Sequence, residues 1–123
     1  MDIFITGAAG MIGRKLTARL VADVTLDNRP IEKLTLLDVA APANPEKFSG
    51  AVETVAGDIA DPAALRKLVA TRPDVIFHLA AVVSAEAELD FNKGMRINLD
   101  GSRALFEAVR AVGKGYRPRL VFT

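Results

Sequence analysis

The sequence contains no cysteine among its 123 residues. Disulfides, zinc–thiolate sites and cysteine nucleophiles are therefore excluded, and a reducing cytosol is permitted. Lysine and arginine number 16 against 15 aspartate and glutamate residues, and no basic block is present. Neither nucleic acid nor an anionic membrane surface is therefore expected as a partner. No apolar stretch approaches the roughly 20 residues of a membrane span, and the N-terminus shows no signal-peptide pattern. These absences predict a soluble, cytoplasmic domain.

Half of the residues are apolar, which suffices for one core and leaves little for a second domain. Short apolar segments alternate with amphipathic ones along the chain. The predicted strands are 2–6, 34–37, 52–56, 73–79 and 120–122, and the predicted helices are 11–24, a segment that begins at 61–62, and 98–112. The segment 27–30 is predicted to be a loop.

Several of these strands are continuous apolar runs, which is typical of strands buried on both faces of a parallel sheet. Right-handed crossovers then favour the order 3-2-1-4-5, with the strands numbered along the chain. The fold class predicted is therefore α/β, a Rossmann-type doubly wound parallel sheet. In the first helix a stripe recurs every four residues and is expected to face the core, namely Ile12, Leu16, Leu20 and Val24.

Three glycines stand three residues apart directly after the first strand. Gly7 permits a tight turn, Gly10 lets the backbone approach a pyrophosphate, and Gly13 lets the helix pack closely against the sheet. The N-terminus of the helix that follows directs N–H groups and a positive dipole end at the same place. The alternative interpretation is a plain strand-to-helix turn, but the strand–glycine–helix context favours dinucleotide binding.

The stretch Thr6–Gly13 resembles the short-chain dehydrogenase/reductase superfamily, in particular its extended branch. The resemblance covers the whole chain, because Asp38 after the second strand, Gly57-Asp58-Ile59, His78-Leu79-Ala80-Ala81 and Asn98-Leu99-Asp100-Gly101 occur in the family's order. It implies NAD as cofactor. The cofactor-binding residues it implies are Gly7, Ala9, Gly10, Met11, Ile12, Gly13, Asp38, Asp58, Ile59, Leu79, Ala80, Ala81 and Asn98.

Segments 86–94, 96–101 and 48–52 are similar to the D-erythronate dehydrogenase group, whose members oxidise a four-carbon sugar acid with NAD. The resemblance therefore implies a small sugar acid as substrate and a homodimer for the full-length protein. Nucleotide-sugar epimerases and dehydratases share most of the same frame and remain alternatives. A dinucleotide sensor that has lost its chemistry is a third interpretation.

Single residues leave other choices open. Asp38 is expected to accept hydrogen bonds from the ribose hydroxyls, which favours NAD, whereas Arg14 and Lys15 would suit the 2′-phosphate of NADP. Asp58 either contacts adenine or caps the next turn. His78 is interpreted as a structural, hydrogen-bonded residue rather than an acid–base catalyst.

Four further positions have a structural interpretation as well as a functional one. Ser84 either touches substrate or is an ordinary loop serine. The acids Glu86, Glu88 and Asp90 are interpreted as an exposed helix start rather than a metal site.

The family's acid–base group is a tyrosine with a lysine four residues later. The one tyrosine here is Tyr116, which is followed four residues later by Leu120, and Pro118 prevents the helical turn that would join the two positions. No catalytic residue is therefore assigned. We interpret the chain as the N-terminal portion of a longer protein, with a sheet that is incomplete on its C-terminal side and without activity by itself.

Overall fold

A computed structural model describes residues 1–80 and 89–123. Its central sheet consists, within these ranges, of five parallel strands. Their bounds are β1 Asp2–Thr6, β4 Lys33–Asp38, β5 Ala51–Ala56, β6 Val75–His78 and β7 Arg119–Phe122. Numbered along the chain, these five strands stand in the order 3-2-1-4-5, so the predicted fold class and strand order are confirmed.

The helices lie on both faces of this sheet. They are α1 Met11–Asp23, α2 Pro62–Val69, α3 Phe91–Gly94, the π-helical segment π1 Met95–Asp100, and α4 Gly101–Val112. Asp61 accepts a hydrogen bond from the N–H of Ala63 and Pro62 is the first helical residue, as predicted for the start of α2. No helix in the described ranges is long and apolar enough to cross a membrane.

Consecutive residues of each inner strand face opposite sides of the sheet, which explains the unbroken apolar runs. Phe4, Leu37 and Ile76 pack into a core shared with α2 and α4. Ile3 and Leu36 pack on the opposite face, in a core that also contains Leu20 of α1. The sheet is therefore covered on both sides, and its carboxyl edge is left accessible.

The predicted stripe of α1 is wrong at both ends. Ile12 is 52% exposed and Val24 is 44% exposed, while Gly13, Thr17 and Leu20 are the residues that α1 buries. A spacing of four residues drifts by roughly 40° per step on a helix of 3.6 residues per turn, so a stripe of four members leaves the core-facing side.

The last predicted helix begins earlier than expected. The helical run that leads into α4 starts at Phe91, where the side chain of Asp90 accepts a hydrogen bond from the N–H of Lys93, and Asn98 lies inside π1 rather than at a helix start. The predicted loop at 27–30 is also more regular than expected. Two short strands, β2 Thr25–Leu26 and β3 Arg29–Pro30, form an antiparallel hairpin there.

Candidate dinucleotide-binding site

A cavity of about 330 Å³ opens at the carboxyl ends of β1, β4 and β6. The chain leaves β1 for β4 on one side and later returns to β6 on the other, so the cavity lies where the strand order reverses. Ligands of open α/β sheets bind at such a point. The residues that line it are Thr6, Gly7, Gly10, Leu37, Asp38, Val39, Gly57, Ile59, Leu79, Ala80, Lys93 and Ile97.

Two of the three glycines are required by the chain's own backbone. Gly7 has φ +74, and a Cβ there would lie 2.7 Å from the backbone nitrogen of Ala80. A Cβ on Gly13 would lie 2.2 Å from the carbonyl oxygen of Gly7. The absence of a side chain at Gly13 therefore lets α1 pack against the turn that precedes it. The sequence had predicted that Gly13 lets the helix pack against the sheet.

Gly10 is different, because the protein comes close to a side chain there at one atom only. A Cβ would meet only the carbonyl oxygen of Gly7, at 3.3 Å, and the backbone has φ −73 and ψ 172, which any residue adopts. The first turn of α1 contains no acidic residue, and Gly10 lines the cavity. An open cradle beside the positive end of a helix fits a pyrophosphate group.

Asp38 is held at the rim by the backbone. Its Oδ2 accepts a hydrogen bond from the N–H of Ala9 at 2.9 Å, and its Oδ1 accepts one from the N–H of Val39 at 2.7 Å. A carboxylate has about four acceptor positions, so capacity for ribose hydroxyls is left. Asp38 thus joins the end of β4 to the glycine turn with a fixed orientation.

Asp58 and Ile59 follow β5, and only Ile59 lines the cavity. The N–H of Ala60 donates to Asp58 Oδ1 at 2.9 Å, and the guanidinium of Arg96 in π1 forms an ion pair with Oδ2. The hydrogen bond from the Ala60 N–H is the largest effect on the pKa of Asp58, and it lowers that pKa. Arg96 lowers it further, while burial opposes both effects. The hydrogen bond from Ala60 therefore supports the interpretation that Asp58 caps the next turn. Contact between Asp58 and adenine stays a prediction.

The turn after β6 brings Leu79 and Ala80 to the cavity beside the glycine turn. His78 is 5% exposed and hydrogen-bonded through both ring nitrogens, to Thr6 and Ser102, and burial lowers its pKa. This geometry agrees with the structural interpretation of His78. The predicted positions Ala81 and Ser84, together with Glu86 and Glu88, lie outside the described residues.

The remaining predicted residues lie near the cavity without lining it. Met11 and Ile12 are exposed in the first turn of α1, and the N–H of Ala9 is bonded to Asp38. Asn98 in π1 accepts a hydrogen bond at its carbonyl oxygen from the Ser102 hydroxyl, at 2.9 Å.

Lys93 and Ile97 line the cavity and were missed from the sequence. Both come from the helical turns that precede the predicted helix start. Asp90 as an N-cap three residues before Lys93 is the sequence signal that places this start.

A larger cavity, of about 890 Å³, lies between α1 and the segment 41–47. It contains Arg14 but neither Gly7 nor Gly10, and no residue of β6 or of the turn after it. The smaller cavity combines the glycine turn, the Asp38 carboxylate and the β6 turn, so we assign the dinucleotide site there. Lys15 lines neither of the two cavities.

Tyr116 is held away from the site. Its hydroxyl donates to the carbonyl oxygen of Pro73 at 2.6 Å, at the amino end of β6, whereas the cavity is at the carboxyl end. Burial, with the nearby Asp74 charge, raises its pKa to about 12. This placement agrees with the prediction that Tyr116 is not the catalytic tyrosine. No cluster of metal-ligating side chains occurs among residues 1–80 and 89–123.

Known proteins are similar to this chain in sequence and in backbone fold. D-erythronate dehydrogenase from Cupriavidus necator is 47% identical over the whole chain, and that from Haemophilus influenzae is 34% identical over 89% of it. The chain spans 38% and 34% of the lengths of these two proteins.

Solved structures of other proteins also superpose on this chain. A nucleoside-diphosphate-sugar epimerase from Agrobacterium tumefaciens superposes with a TM-score of 0.95 at 60% identity, covering 99% of this chain and 36% of that one. Uronate dehydrogenase from Agrobacterium tumefaciens, a Y136A mutant complexed with NAD, superposes with a TM-score of 0.76 at 34% identity, covering 99% of this chain and 40% of that one.

The family match extends over nearly all of the sequence. Residues 3–123 match the NAD dependent epimerase/dehydratase family. The glycine turn, the strand-end aspartate and the order of the strands are the features that the structure contributes to this assignment. The chain belongs to the NAD dependent epimerase/dehydratase family, and NAD is its cofactor.

Proposed function

We propose that residues 1–123 form the NAD-binding part of a longer oxidoreductase that oxidises a hydroxyl group of a sugar acid such as D-erythronate. The observation that carries the proposal is the open cradle at Gly10, placed beside Asp38 at the reversal point of the sheet. The similarity to two D-erythronate dehydrogenases supports the substrate class. The length of these relatives supports a longer protein, for which we also propose a homodimer in the cytoplasm.

Each wall of the cavity has a distinct binding task. The turn from Gly7 to Gly10 holds the pyrophosphate, Asp38 binds the adenosine ribose hydroxyls, and Ile59 packs against adenine beside Asp58. Leu79 and Ala80 present small or apolar surface to the nicotinamide half. When bound, NAD supplies the hydride acceptor, and these residues orient it.

Neither His78 nor Tyr116 is placed to supply the acid–base group that hydroxyl oxidation needs. His78 uses both ring nitrogens in internal hydrogen bonds, and the Tyr116 hydroxyl is bonded at the wrong end of β6. We infer that a tyrosine–lysine pair and the substrate-binding region are supplied by chain beyond these 123 residues.

A nucleotide-sugar epimerase is the second candidate. The observation that favours it is the similarity, at 60% identity, to the Agrobacterium tumefaciens nucleoside-diphosphate-sugar epimerase. An epimerase returns the hydride to its substrate, so it produces no net NADH, whereas a dehydrogenase accumulates it.

Absorbance of NADH therefore separates the candidates. The full-length protein is incubated with NAD and with D-erythronate, other sugar acids or nucleotide sugars in turn. We expect NADH to accumulate with a sugar acid. Inversion of a nucleotide sugar without NADH would establish the epimerase instead, and NAD binding with no turnover of any substrate would favour a sensor.

A further inference from the structure

A buried imidazole stands at the edge of the dinucleotide cavity. His78, the only histidine of the chain, ends β6, and its Nδ1 lies 2.9 Å from Thr6 Oγ1 at the end of β1. Its Nε2 lies 3.1 Å from Ser102 Oγ in the first turn of α4. The ring therefore bridges two strands of the sheet and the helix above them.

The surrounding hydrogen bonds determine where each proton resides. The Ser102 hydroxyl donates its single proton to the carbonyl oxygen of Asn98, so Ser102 Oγ accepts from His78 and Nε2 carries the ring proton. Nδ1 of the neutral ring is then an acceptor, and the Thr6 hydroxyl donates to it. Thr6 Oγ1 in turn accepts from the N–H of Ala80 at 3.3 Å. Each hydrogen bond is thus donated in the same direction along the series, which begins at the Ala80 N–H and ends at the Asn98 carbonyl oxygen.

The two ends of this chain of hydrogen bonds are attached to two elements that line the cavity. Ala80 lines it, and its backbone nitrogen is the atom that a side chain on Gly7 would strike. At the other end Ser102 is attached to π1, which contributes Ile97 to the lining. Loss of one of these hydrogen bonds is therefore expected to shift the two elements relative to each other.

We propose that Thr6, His78 and Ser102 are positioning residues for NAD: they hold the Leu79–Ala80 turn against the glycine turn and at a fixed distance from π1. The inference rests on the proposed function, because it assigns these residues a task in binding the same dinucleotide. None of the three needs to touch the reacting atoms. Their effect is transmitted through the Ala80 N–H and the Asn98 carbonyl.

The test uses the protein at its full length and titrates NAD by calorimetry. Thr6→Val keeps the shape of the side chain but removes both the donor to Nδ1 and the acceptor for the Ala80 N–H. We expect the Kd for NAD to rise about tenfold, which corresponds to loss of one or two buried hydrogen bonds. Thr6→Ser restores the hydroxyl and is expected to restore binding.

Thr35→Val is the matched control, because Thr35 is a buried threonine on the neighbouring strand β4 and is outside the hydrogen-bond chain. It reports the effect of the same exchange on stability alone. Should Thr6→Val fail to fold, Ser102→Ala breaks the other end, with Ser102→Thr as its hydroxyl-bearing control. ¹⁵N NMR of the His78 ring reads the proton positions directly, with His78→Asn to assign the signals.

A neutral ring protonated at Nε2, with NAD affinity lost in Thr6→Val and regained in Thr6→Ser, is the expected result. A ring protonated at Nδ1, or equal NAD affinity in Thr6→Val and the unmodified protein, would overturn the positioning role and leave the proposed function standing. Failure of the unmodified protein to bind NAD would overturn both.

Discussion

At the scale of single residues, the three glycines of the turn have three different physical reasons. Gly7 needs a left-handed backbone and a close approach to Ala80, and Gly13 needs contact with the Gly7 carbonyl. Gly10 has an ordinary backbone conformation, and a Cβ there would make a single tight contact, with the Gly7 carbonyl oxygen. The sequence pattern treats the three alike, so only the structure separates fold requirements from a ligand requirement.

This separation makes Gly10→Val an informative substitution. The valine side chain fits the existing φ and ψ, so the fold should persist, but it fills the space of the pyrophosphate. We expect NAD binding to be abolished while circular dichroism and the melting temperature stay close to those of the unmodified protein.

Gly13→Val is the matched control for Gly10→Val, because its Cβ meets backbone 2.2 Å away and the protein should lose stability as well as binding. Unchanged NAD affinity in Gly10→Val would place the pyrophosphate elsewhere.

We expect Asp38 to determine whether the protein prefers NAD or NADP. Its carboxylate suits the free ribose hydroxyls of NAD and repels the 2′-phosphate of NADP. We expect the unmodified protein to prefer NAD, and Asp38→Ala to weaken NAD binding by about 1–3 kcal/mol through loss of charge-assisted hydrogen bonds. Both cofactors are titrated against both proteins.

Asp38→Asn serves as a control for the contribution of the Asp38–Ala9 bond, since an amide oxygen still accepts from that N–H. NADP binding as tight as NAD binding in the unmodified protein would contradict the assignment.

At the scale of elements, the sequence predicted the sheet better than the helices. Strand positions follow from runs such as Leu34–Leu37, whose burial on both faces leaves no competing pattern. The stripe of α1 failed because Gly13 and Thr17, not Ile12 and Val24, face the core. A glycine and a threonine give no hydrophobic signal, and their burial depends on the turn beneath them.

The site was predictable where backbone geometry dictates residue type and less so elsewhere. The glycines, Asp38 and Ala80 follow from the turn and the strand ends. Lys93 was missed because it comes from a helix whose start was placed too late. The hydrogen bonds of His78 join residues 72 and 24 positions apart, a distance at which the sequence alone carries no register.

The turn after α4 is tied to β6 by Tyr116, which provides a prediction at alkaline pH. The folded protein keeps this phenol neutral up to a pKa of about 12, whereas in the unfolded chain it ionises near 10. The free energy of unfolding should therefore fall as the pH rises from about 10 to 12.

Tyr116→Phe should be less stable at neutral pH by about 1 kcal/mol, because the hydrogen bond to Pro73 is lost, and should lack this part of the pH dependence. Urea unfolding of both proteins across this range, with phenolate absorbance of the single tyrosine, makes the comparison. A phenol that titrates near 10 in the folded protein would contradict it.

At the scale of the whole molecule, β7 forms an edge of the sheet and carries apolar side chains there. Phe122 is 48% exposed and contacts Phe106, which is 46% exposed. An unpaired apolar edge strand favours self-association. We expect the isolated 123-residue chain to aggregate as its concentration rises, and to show no oxidation of any sugar acid, because it has no tyrosine–lysine pair.

Light scattering and NADH absorbance on the short chain, beside a longer protein that continues through a tyrosine–lysine helix, check this prediction. Phe122→Lys should reduce aggregation of the short chain without giving it activity, since a charge on the edge opposes pairing. Turnover by the short chain above a blank would show that the acid–base group lies within these residues.

The π-helical turn at Met95–Asp100 divides one long helix into two phases. A π-turn holds one residue more than an α-turn, and each residue advances the helix by roughly 100°, so side chains before the turn are rotated against those after it. Lys93 thereby reaches the cavity while Leu105 and Ala108 face the core. Deletion of one residue here would rotate Lys93 by roughly 100° about the helix axis relative to Leu105 and Ala108, so a different side chain would face the cavity.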